Sequence, residues 1–563
     1  MSAPLHHKHW PPGVPHHLEM VPQTLTEAVA QTVARVPDHP AMIYHGRVTT
    51  YATLWARIEA LAGWLQNQGV TKGDRVLLLA QNSPQFVEGY HAILRADAVV
   101  VPVNPMSREA ELTHLAQDTG ANVMLAGQEL LPFALPLLDA GLLTTLLVAT
   151  YAEAVDPADP DPLPAGLDTL RAADLTDPRL TPWETAIHAG CAPRPAQAQP
   201  NDLAVLPYSS GTTGAPKGCM HSHYTTMAVL IGGLQWQAVD EADVHLATLP
   251  MFHVTGMQVG MNGSLISGGT IVIMTRWDRR RAADLIRRHG VTRWRSIATM
   301  AIDMVNDPDV ASYDFSSLKA IGGGGAAMPE AIAAKLHLYT GLDYIEGYGL
   351  SETIAGTHVN PVHRPKRQCL GIPVQGVDSR IVNPDTLAEL PQGDIGEIVT
   401  AAPQLFLGYW NRPEATAEVF FERDGRQFFR TGDLGYVDED GYFFMVDRLK
   451  RMINASGYKV WPAEVEALMF RHPDIAEACV ISTADARRGE SVRAYVVPTP
   501  SAKGHLTEAA IIAWCQTQMS AYKCPRSIVF TDALPKSGAG KVLWRMLQEQ
   551  DSATAATKKG AQA

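Results

Sequence analysis

The stretch "YSSGTTGAPKG", residues 208–218, combines three glycines, four serine and threonine side chains and one lysine in eleven positions. Glycines let backbone N–H groups approach an anion closely, hydroxyls add neutral donors, and a lysine adds a positive charge. An ordinary flexible turn is the alternative, but polar turns rarely gather so many donors around glycines. The stretch therefore predicts a polyphosphate-binding loop made by Ser209, Ser210, Gly211, Thr212, Thr213, Gly214 and Lys217.

This loop differs from the common P-loop. The pattern G-x-x-x-x-G-K-[ST] needs a hydroxyl residue after the lysine, and here Gly218 follows Lys217. The later stretch "SGAGKV" fails as well, because Val542 stands where the hydroxyl residue belongs. A different family of phosphate-binding proteins is indicated.

The segments around the loop alternate between helical and strand patterns. Helical patterns such as "YATLWARIEALAGWLQNQG" alternate with short apolar runs such as "RVLLLA", and the apolar run "LAVLPY" directly precedes the loop. This rhythm is typical of parallel sheets with crossover helices. We predict an α/β fold whose large N-terminal domain, residues 1–449, holds two parallel α/β subdomains and a β-rich subdomain. A small mobile α+β domain at 450–548 and a disordered tail at 549–563 are expected to follow.

Composition and charge limit the class of partner. The 563 residues are 46% hydrophobic and 18% charged, which is ordinary for a globular protein, and the formal net charge is -12. A chain with this charge has no overall cationic surface to neutralise a phosphate backbone, so nucleic acid is not expected as a partner. We expect small-molecule partners, with a monomer or a homodimer as the oligomeric state.

Cysteine usage and the apolar runs indicate the compartment. The six cysteines show no CxxC spacing, which suits reduced thiols in a cytoplasmic protein. The first residues lack the apolar core of a secretory signal. Proline, aspartate and glycine interrupt the most apolar long run, residues 130–150, so it predicts a buried helix and strand instead of a membrane span.

Seven further stretches accompany the loop, and together they carry a resemblance. They are "LPMFHVTG" (249–256), "GGGGAAMPE" (322–330), "EGYGLSET" (346–353), "GEIVTAAPQLFLGYW" (396–410), "FRTGDLG" (429–435), "VDRLKRMINASGYKVWPAEVE" (446–466) and "LPKSGAGKVLWR" (534–545). In this order they resemble the motifs of the adenylate-forming superfamily, which includes acyl-CoA synthetases, firefly-type luciferases and peptide-synthetase adenylation domains. The absence of a long insertion before "DRLK" favours the AMP-forming acid–CoA ligase branch.

The resemblance implies two half-reactions and three small molecules: ATP, CoA and Mg2+. A carboxylate first attacks the α-phosphate of ATP, giving an acyl-adenylate and pyrophosphate. A thiol then displaces AMP. Negative charge grows on the leaving pyrophosphate in the first step, so fixed donors around it lower the barrier.

The nucleotide site is expected to draw on three motifs. The resemblance implies that Tyr348 stacks on adenine, that Ser351 contacts the α-phosphate and that the carboxylate of Glu352 helps to hold magnesium. Most relatives have threonine at the position of Ser351, and serine keeps the hydroxyl. Gly325, Ala326 and Ala327 are expected to be small enough to let the adenine ring lie against the backbone, and Gly349 is expected to be a further nucleotide-binding residue.

The ribose and the attacking carboxylate have their own expected partners. Asp433 of "FRTGDLG" is expected to accept hydrogen bonds from both ribose hydroxyls, and Arg448 is expected to support the same sugar. Lys541 of "GAGKV" is expected to offset the repulsion between the substrate carboxylate and the triphosphate. Lys541 is therefore the most consequential catalytic residue of the prediction.

The small domain is expected to rotate between the two half-reactions. Lys541 and the loop "NASGYKV" lie on different segments of that domain, so both can hardly reach one active site together. The resemblance implies a pivot at Lys450, with one face presenting Lys541 and the other presenting Gly457 and Tyr458 to CoA. A plain surface lysine is the alternative interpretation of Lys450.

The acyl group is the least determined part of the prediction. Candidate pocket residues are His253, Met257, Met261, Met300 and Gly323. Deformable methionines favour an aliphatic acid, either fatty or short and branched. His253 has either a catalytic or a structural role. An aryl acid–CoA ligase, a luciferase-like oxidase and a non-catalytic nucleotide or acyl-CoA sensor are the other candidate functions.

Overall fold

The computed structural model describes residues 4–159, 161–209, 216–455, 458–485, 489–536 and 542–560. The chain divides into two compact units. The first comprises Met1–Asp378 and Ala401–Phe429, and the second comprises Ser379–Thr400 and Arg430–Ala563. The β-rich segments are therefore shared between the units. The domain boundary at residue 449 stays a prediction.

Among the described residues, eighteen strands of the first unit precede residue 378. They are β1 Pro40–Tyr44, β2 Arg47–Thr50, β3 Arg75–Leu79, β4 Val99–Pro102, β5 Val123–Gly127, β6 Thr145–Ala149, β7 Leu180–Pro182, β8 Leu203–Val205, β9 Tyr208–Ser209, β10 Lys217–Gly218, β11 His221–Ser222, β12 Val244–Ala247, β13 Thr270–Ile273, β14 Arg293–Ser296, β15 Ala320–Gly324, β16 Tyr344–Leu350, β17 Ala355–Val359 and β18 Ile372–Pro373.

Helices separate most of these strands. They are α1 Leu25–Arg35, α2 Tyr51–Asn67, α3 Pro84–Arg95, α4 Glu109–Thr119, α5 Leu131–Asp139, α6 Trp183–Ile187, α7 His223–Trp236, α8 Gly263–Ser267, α9 Arg279–His289, α10 Ala298–Val305, α11 Glu330–Thr340 and α12 Pro413–Ala417. A π-helix, Gly256–Asn262, leads directly into α8.

Two mixed sheets organise this unit. The larger sheet has nine strands in the order β18-β17-β16-β15-β14-β12-β13-β1-β2, and the smaller has seven in the order β11-β8-β4-β3-β5-β6-β7. Within the larger sheet the strands from β16 to β1 are parallel, and β17, β18 and β2 pair antiparallel at the two sides. The central strands are buried on both faces, which explains their continuous apolar runs.

Side-chain caps fix where several of the helices begin. The Thr24 hydroxyl accepts from the Glu27 N–H while Glu27 accepts from the Thr24 N–H, a complete capping box at α1. Ser83 caps α3, whose first residue is proline, and Ser222 caps α7. Each capping contact is worth about 1 kcal/mol.

The topology brings four motifs to one edge of the larger sheet. Strands β12, β14, β15 and β16 are neighbours and parallel, so their carboxyl ends meet there. The segments that follow them begin at residues 248, 297, 325 and 351. Ligands of open α/β sheets bind outside the carboxyl ends of the strands. This edge is therefore the place to look for a site.

The second unit is built mostly of antiparallel strands. The strands from residue 378 onwards, of which β21 still belongs to the first unit, are β19 Asp378–Val382, β20 Gly396–Ala401, β21 Phe420–Arg423, β22 Arg426–Val437, β23 Phe443–Arg448, β24 Ile453–Ala455, β25 Tyr458–Val460, β26 Ile475–Asp485, β27 Gly489–Pro498 and β28 Ser527–Phe530. The helices are α13 Pro462–Met469, α14 Glu508–Gln518 and α15 Trp544–Gly560. Strands β26 and β27 form a long antiparallel hairpin, with β28 parallel to β27.

The predicted α/β class is confirmed. Helix α15 runs to Gly560 across most of the stretch predicted as a disordered tail. Its alanines, lysines and glutamines are good helix formers, which explains the difference. Among the described residues no helix is both long and apolar enough to cross a membrane. All six cysteines are free thiols.

Candidate functional site

The two ends of the glycine-rich loop pair with each other. Lys217 lies opposite Ser209 in the antiparallel pair β9–β10, and the Ser209 hydroxyl donates to the Lys217 carbonyl at 3.4 Å. A side chain at Gly218 would press on Leu206 and Tyr208 at 3.1 Å. The loop therefore leaves the sheet as a hairpin with a fixed base. The predicted phosphate-binding residues Ser210, Gly211, Thr212, Thr213 and Gly214 lie outside the described residues.

A segment from residues 405–410 packs along the base of this hairpin. Backbone hydrogen bonds join Leu407 to Met220, Met220 to Gly408 and Trp410 to Gly218, each between 2.8 and 3.0 Å. This places Tyr409 beside Lys217, whose ammonium lies 4.9 Å from the centre of the Tyr409 ring. Such a cation–π contact orients the lysine without neutralising it.

Tyr409 also holds the predicted magnesium ligand. Its hydroxyl donates to Glu352 Oε1 at 2.8 Å. Burial and the nearby carboxylate raise the pKa of Tyr409, so the phenol stays protonated and remains a donor. One aromatic side chain thus contacts both the lysine of the phosphate loop and the carboxylate of "EGYGLSET". The structure brings these two predicted residues together through a residue that the sequence prediction did not single out.

Two hydrogen bonds from other segments hold the turn that carries Ser351 and Glu352. The His221 ring donates from Nε2 to the Ser351 carbonyl at 2.8 Å, and the Phe406 N–H donates to the Glu352 carbonyl at 2.9 Å. The turn itself is a 3₁₀ helix, Ser351–Thr353. Burial lowers the pKa of His221 to about 4, which keeps the ring neutral at physiological pH.

The backbone directly after this turn is strained. Ile354 has a φ of 46° and Ala355 a φ of 141°. A β-branched residue in the left-handed region is a genuine outlier, and such strain persists only where the surroundings impose it. The geometry of the Glu352 turn is thus enforced by packing around it.

The residues predicted to contact adenine lie at the ends of β15 and β16. Tyr348 is buried and packs edge-on against His358 with 5.5 Å between ring centres. At Gly349 an added Cβ would lie 1.7 Å from the Ala355 carbonyl oxygen, so only glycine fits. Gly325 has a φ of +89° and begins an exposed turn with Ala326 and Ala327. The turn can therefore present its backbone to a planar ligand.

The predicted acyl-pocket residues fall into different surroundings. His253 is half-buried after β12, while Met257 and Met261 of the π-helix are fully buried in the hydrophobic core. Met300 packs in a second core cluster on α10. A Cβ at Gly323 would lie 1.8 Å from the Ser296 carbonyl oxygen. Gln258 and Val259 of the same π-helix line a cavity instead. A π-helix is rare and frequently marks a functional site.

The predicted ribose contacts lie in the second unit. Asp433 and Arg448 are opposite each other in the β22–β23 pair, with Arg448 Nε 3.0 Å from Asp433 Oδ1. Asp433 is fully buried. The preceding turn at Gly432 is fixed by Glu397, which accepts from the Gly432 N–H at 3.1 Å and pairs with Arg430 at 2.7 Å. The arrangement gives Asp433 a rigid position.

The residues on each side of the predicted pivot form hydrogen bonds to helix α13. Lys450 lies in a 3₁₀ turn, Leu449–Arg451. Asp447, just before the turn, accepts from the Ala463 N–H at 2.7 Å at the start of α13. Arg451, just after it, donates to Glu466 of α13 at 2.5 Å. Tyr458 begins β25, and the predicted residues Gly457 and Lys541 lie outside the described residues.

Sequence reasoning missed Tyr409, His221, Glu397 and Asp447. Tyr409 stands inside a quoted motif, and a conspicuous "LGYW" was the available signal. His221 carried no local signal, because it reaches Ser351 across 130 positions of sequence. Among the described residues no cluster of three or more histidine, cysteine or acidic side chains forms a metal site. One carboxylate, that of Glu352, is nonetheless sufficient for a magnesium site. Magnesium commonly takes one or two protein carboxylates and fills its remaining positions with phosphate oxygens and water.

Comparisons with known proteins identify the family. The model of the AMP-binding enzyme family matches residues 29–410, and that of the AMP-binding enzyme C-terminal domain matches residues 464–541. The chain is 33% identical to a long-chain-fatty-acid–CoA ligase of Bacillus subtilis, covering 96% of this chain and 97% of that one. It is 34% identical to a feruloyl-CoA synthase of Amycolatopsis, covering 91% and 96%.

Solved structures agree with this assignment. The ATP-bound MatB of Rhodopseudomonas palustris superposes with a TM-score of 0.80 at 27% identity, covering 94% of this chain and 99% of that one. A fatty acyl CoA synthetase of Mycobacterium tuberculosis superposes with a TM-score of 0.70 at 28% identity, covering 94% and 99%. The chain therefore belongs to the AMP-binding enzyme family, within the adenylate-forming superfamily that contains the acyl-CoA ligases.

Proposed function

We propose that this protein is an AMP-forming acid–CoA ligase that activates an aliphatic carboxylic acid, with Lys217, Ser351 and Glu352 at the triphosphate. The observation that carries the proposal is the contact of Tyr409 with both Lys217 and Glu352, at 4.9 and 2.8 Å. A phosphate-binding cation and a magnesium-binding carboxylate are needed side by side for nucleotidyl transfer. Relatives named as long-chain-fatty-acid–CoA ligases support the reaction class and the aliphatic substrate.

The first half-reaction joins the acid to AMP. An oxygen of the substrate carboxylate attacks the α-phosphorus, and the bond from that phosphorus to the bridging oxygen breaks, so pyrophosphate leaves with the electron pair. Lys217 and the hydroxyls of the glycine-rich loop stabilise the charge that grows on the leaving group. Ser351 donates to the α-phosphate, and Lys541 holds the two anions in line.

Glu352 would hold the magnesium ion that accompanies ATP. The ion supplies positive charge beside the phosphate oxygens. Tyr409 orients the carboxylate by donating to one oxygen, and the His221 contact at the Ser351 carbonyl fixes the turn from which Glu352 projects. Asp433 and Arg448 are proposed to hold the ribose, and Tyr348 the adenine ring.

In the second half-reaction the CoA sulfur attacks the acyl carbonyl and AMP leaves. We propose that the chain pivots at Lys450 between the two steps, exchanging Lys541 for Gly457 and Tyr458. The bond between Asp447 and Ala463 spans this position, so a pivot there must break or rearrange it. Residues 450–548 would move, and the remainder of the chain would keep the nucleotide.

The experiment is a panel of carboxylic acids tested by ATP–pyrophosphate exchange and by CoA-dependent AMP formation. An aliphatic acid that supports both reactions is the expected result, and Lys541→Ala should abolish the exchange with it. No exchange with any acid would favour a nucleotide or acyl-CoA sensor. CoA-independent AMP release with light or oxygen uptake would favour a luciferase-like oxidase.

An aryl acid–CoA ligase is the second candidate. The relative named as a feruloyl-CoA synthase is as similar as the fatty-acid ligases, at 34% identity. The panel therefore includes ferulate and benzoate beside hexanoate and palmitate. A preference for ferulate would replace the aliphatic proposal and leave the reaction class unchanged.

A further inference from the structure

A cavity lies on one face of the nine-stranded sheet in the first unit. It is a partly open space of about 80 Å³ between β12 and β14 of the sheet, helix α7, the π-helix and strand β17. This volume exceeds the roughly 10–15 Å³ that one water molecule needs, so a small polar group such as a carboxylate fits. Most of its wall is apolar, as expected for the hydrocarbon part of an acyl group.

Glycines on α7 keep the cavity open. A Cβ at Gly233 would meet no heavy atom within 4 Å, and at Gly232 the nearest would be 3.7 Å away. Glycine inside a helix costs roughly 0.5–1 kcal/mol relative to alanine, so two in succession weaken α7. The space they leave opens onto the cavity that both residues line.

One buried charge in the wall has no counter-charge. Arg295 is 8% exposed, and no carboxylate of the described residues lies within ion-pair distance of its guanidinium. Asp243, the acid that acts on it most, is engaged by Arg293 at 2.7 Å and by the Thr292 hydroxyl at 2.7 Å. Burial lowers the pKa of Arg295 to about 10, so the group stays charged at neutral pH. An unpaired buried charge is costly and calls for an explanation.

Two neutral donors in the same wall are also unsatisfied. His245 is 4% exposed, and neither ring nitrogen has a hydrogen-bond partner among the described residues. Burial lowers the pKa of His245 to about 3, so the ring is neutral and offers one N–H donor. Gln258 is 1% exposed, and its amide nitrogen likewise has no partner. Among the described residues, two hydrogen-bond donors without acceptors and one charge without a counter-charge thus line the same cavity.

The cavity lies next to the edge at which the acid would be activated. Arg295 is opposite Gly322 in the β14–β15 pair, and the next pair towards the carboxyl ends is Ser296 with Gly323. Ala355 and Gly356, which line the cavity, pair with Leu350 and Gly349 beside the Glu352 turn. An acid whose reacting carboxylate lies above the strand ends can therefore extend its other end into the cavity.

We propose that Arg295 binds a second carboxylate at the far end of the substrate, so that the preferred acid is an aliphatic dicarboxylic acid activated at one end. The inference rests on the proposed ligase function and deepens it. His245 and Gln258 donate to the same carboxylate, which satisfies all three groups. A charge-assisted bond to a guanidinium is the strong kind of hydrogen bond and is frequently bidentate.

The test compares acids of equal chain length with one and two carboxylates: adipate with hexanoate, and suberate with octanoate. CoA-dependent AMP formation gives kcat and KM for each. We expect the wild type to favour the diacid by about tenfold or more in kcat/KM. In Arg295→Met, which keeps much of the volume and removes the charge, kcat/KM for the diacid should fall by about 100-fold while the value for the monoacid stays or rises.

Equal losses for both acids in a folded Arg295→Met protein would overturn the proposal, because they indicate a structural role. A wild type that prefers the monoacids would also overturn the proposal. In that case water, and not a second carboxylate, would satisfy Arg295, His245 and Gln258. If Arg295→Met fails to fold, two other measurements test the proposal. One is the kinetics of His245→Gln, and the other is the rise in melting temperature of the wild type with adipate and with hexanoate. An equal rise with both acids would contradict the proposal. Failure of the proposed function is distinguishable, because then no acid of either kind supports pyrophosphate exchange.

Discussion

The edge of the nine-stranded sheet and the cavity on its face differ in whether their polar groups have partners within the protein. At the edge, the Glu352 carboxylate, the Ser351 carbonyl and the Lys217 ammonium are each contacted by a side chain from elsewhere in the fold. In the cavity, the His245 ring has no hydrogen-bond partner and the Arg295 guanidinium has no carboxylate partner among the described residues.

The difference separates two kinds of site. Groups that are oriented before the ligand arrives act on every substrate alike, which suits a reaction centre. Groups left without partners are satisfied only by a ligand of matching chemistry, which suits selection among substrates. We therefore expect changes at the edge to affect all acids equally and changes in the cavity to affect particular acids.

The largest effect is expected at the edge, from Glu352→Gln. The amide loses the charge that would hold magnesium, so pyrophosphate exchange should fall by about 1000-fold, a loss typical of a key electrostatic group. The fall should be the same for every acid that the wild type accepts. Glu330→Gln, on the exposed start of α11, is the matched control and should leave exchange unchanged. A loss that differed from one acid to another would contradict the expectation that changes at the edge affect all acids equally.

The next effect belongs to the cavity. Gly233→Leu places a side chain where no heavy atom lies within 4 Å of the added Cβ, so the fold should tolerate it and helix α7 should gain propensity. The bulk reduces the cavity, and KM for long acids should rise by about 30-fold while acetate is used as before. Steady-state kinetics with acetate and decanoate measure this. Parallel changes for both acids would show that the cavity does not receive the substrate.

A smaller effect at the edge is expected from Tyr409→Phe. The ring stays beside Lys217, but the hydrogen bond to Glu352 is lost, which costs about 1.5 kcal/mol, or about tenfold in rate. The loss should appear in kcat for all acids and should not require a change in KM for any of them. Tyr339→Phe on α11 provides the control. An unchanged kcat would mean that Glu352 needs no orientation by Tyr409.

The last expected effect is on stability instead of catalysis, and it involves one buried histidine from each region. Burial lowers the pKa of His221 at the edge to about 4 and that of His245 in the cavity to about 3. The folded protein therefore binds fewer protons than the unfolded chain between about pH 6.5 and 4, so its stability falls as pH falls through that window. Each histidine contributes up to about 1.4 kcal/mol per pH unit.

Replacing either histidine should flatten this dependence by the same amount. Urea unfolding of His221→Asn and His245→Gln at pH 7, 6 and 5 measures the slope beside the wild type. We expect each variant to lose less stability on acidification, even if it is less stable at pH 7. A slope equal to that of the wild type would show that the histidine is protonated in the folded state or solvated on acidification.

Much of the fold could be predicted from the sequence because its signals are local. Strands such as "RVLLL" are buried on both faces and therefore appear in the sequence as continuous apolar runs. The start of α3 is marked by the capping residue Ser83 and the proline that follows it. The motifs of the site are local as well, since each is a strand end and the turn that follows it. Ser351, Glu352 and Lys217 could therefore be named in advance as candidate site residues.

The cavity could not be predicted, and "RWRS" on β14 shows why. Two arginines alternating with tryptophan suggest a strand with one face in solvent. In the structure both arginines are buried, because α7 and the π-helix cover that face of the sheet. Burial here depends on segments dozens of residues away. The same holds for Tyr409 and His221, whose partners are 57 and 130 positions distant.

The left-handed backbone at Ile354 has a consequence for engineering. A segment whose conformation is imposed from outside cannot be transplanted alone, because in a foreign frame it would relax to its own preference. Grafting residues 351–355 between relatives should therefore succeed only when residues 404–410 and the strand with His221 are grafted with them. The three segments must therefore be exchanged together. In recombination libraries all three should come from the same parent.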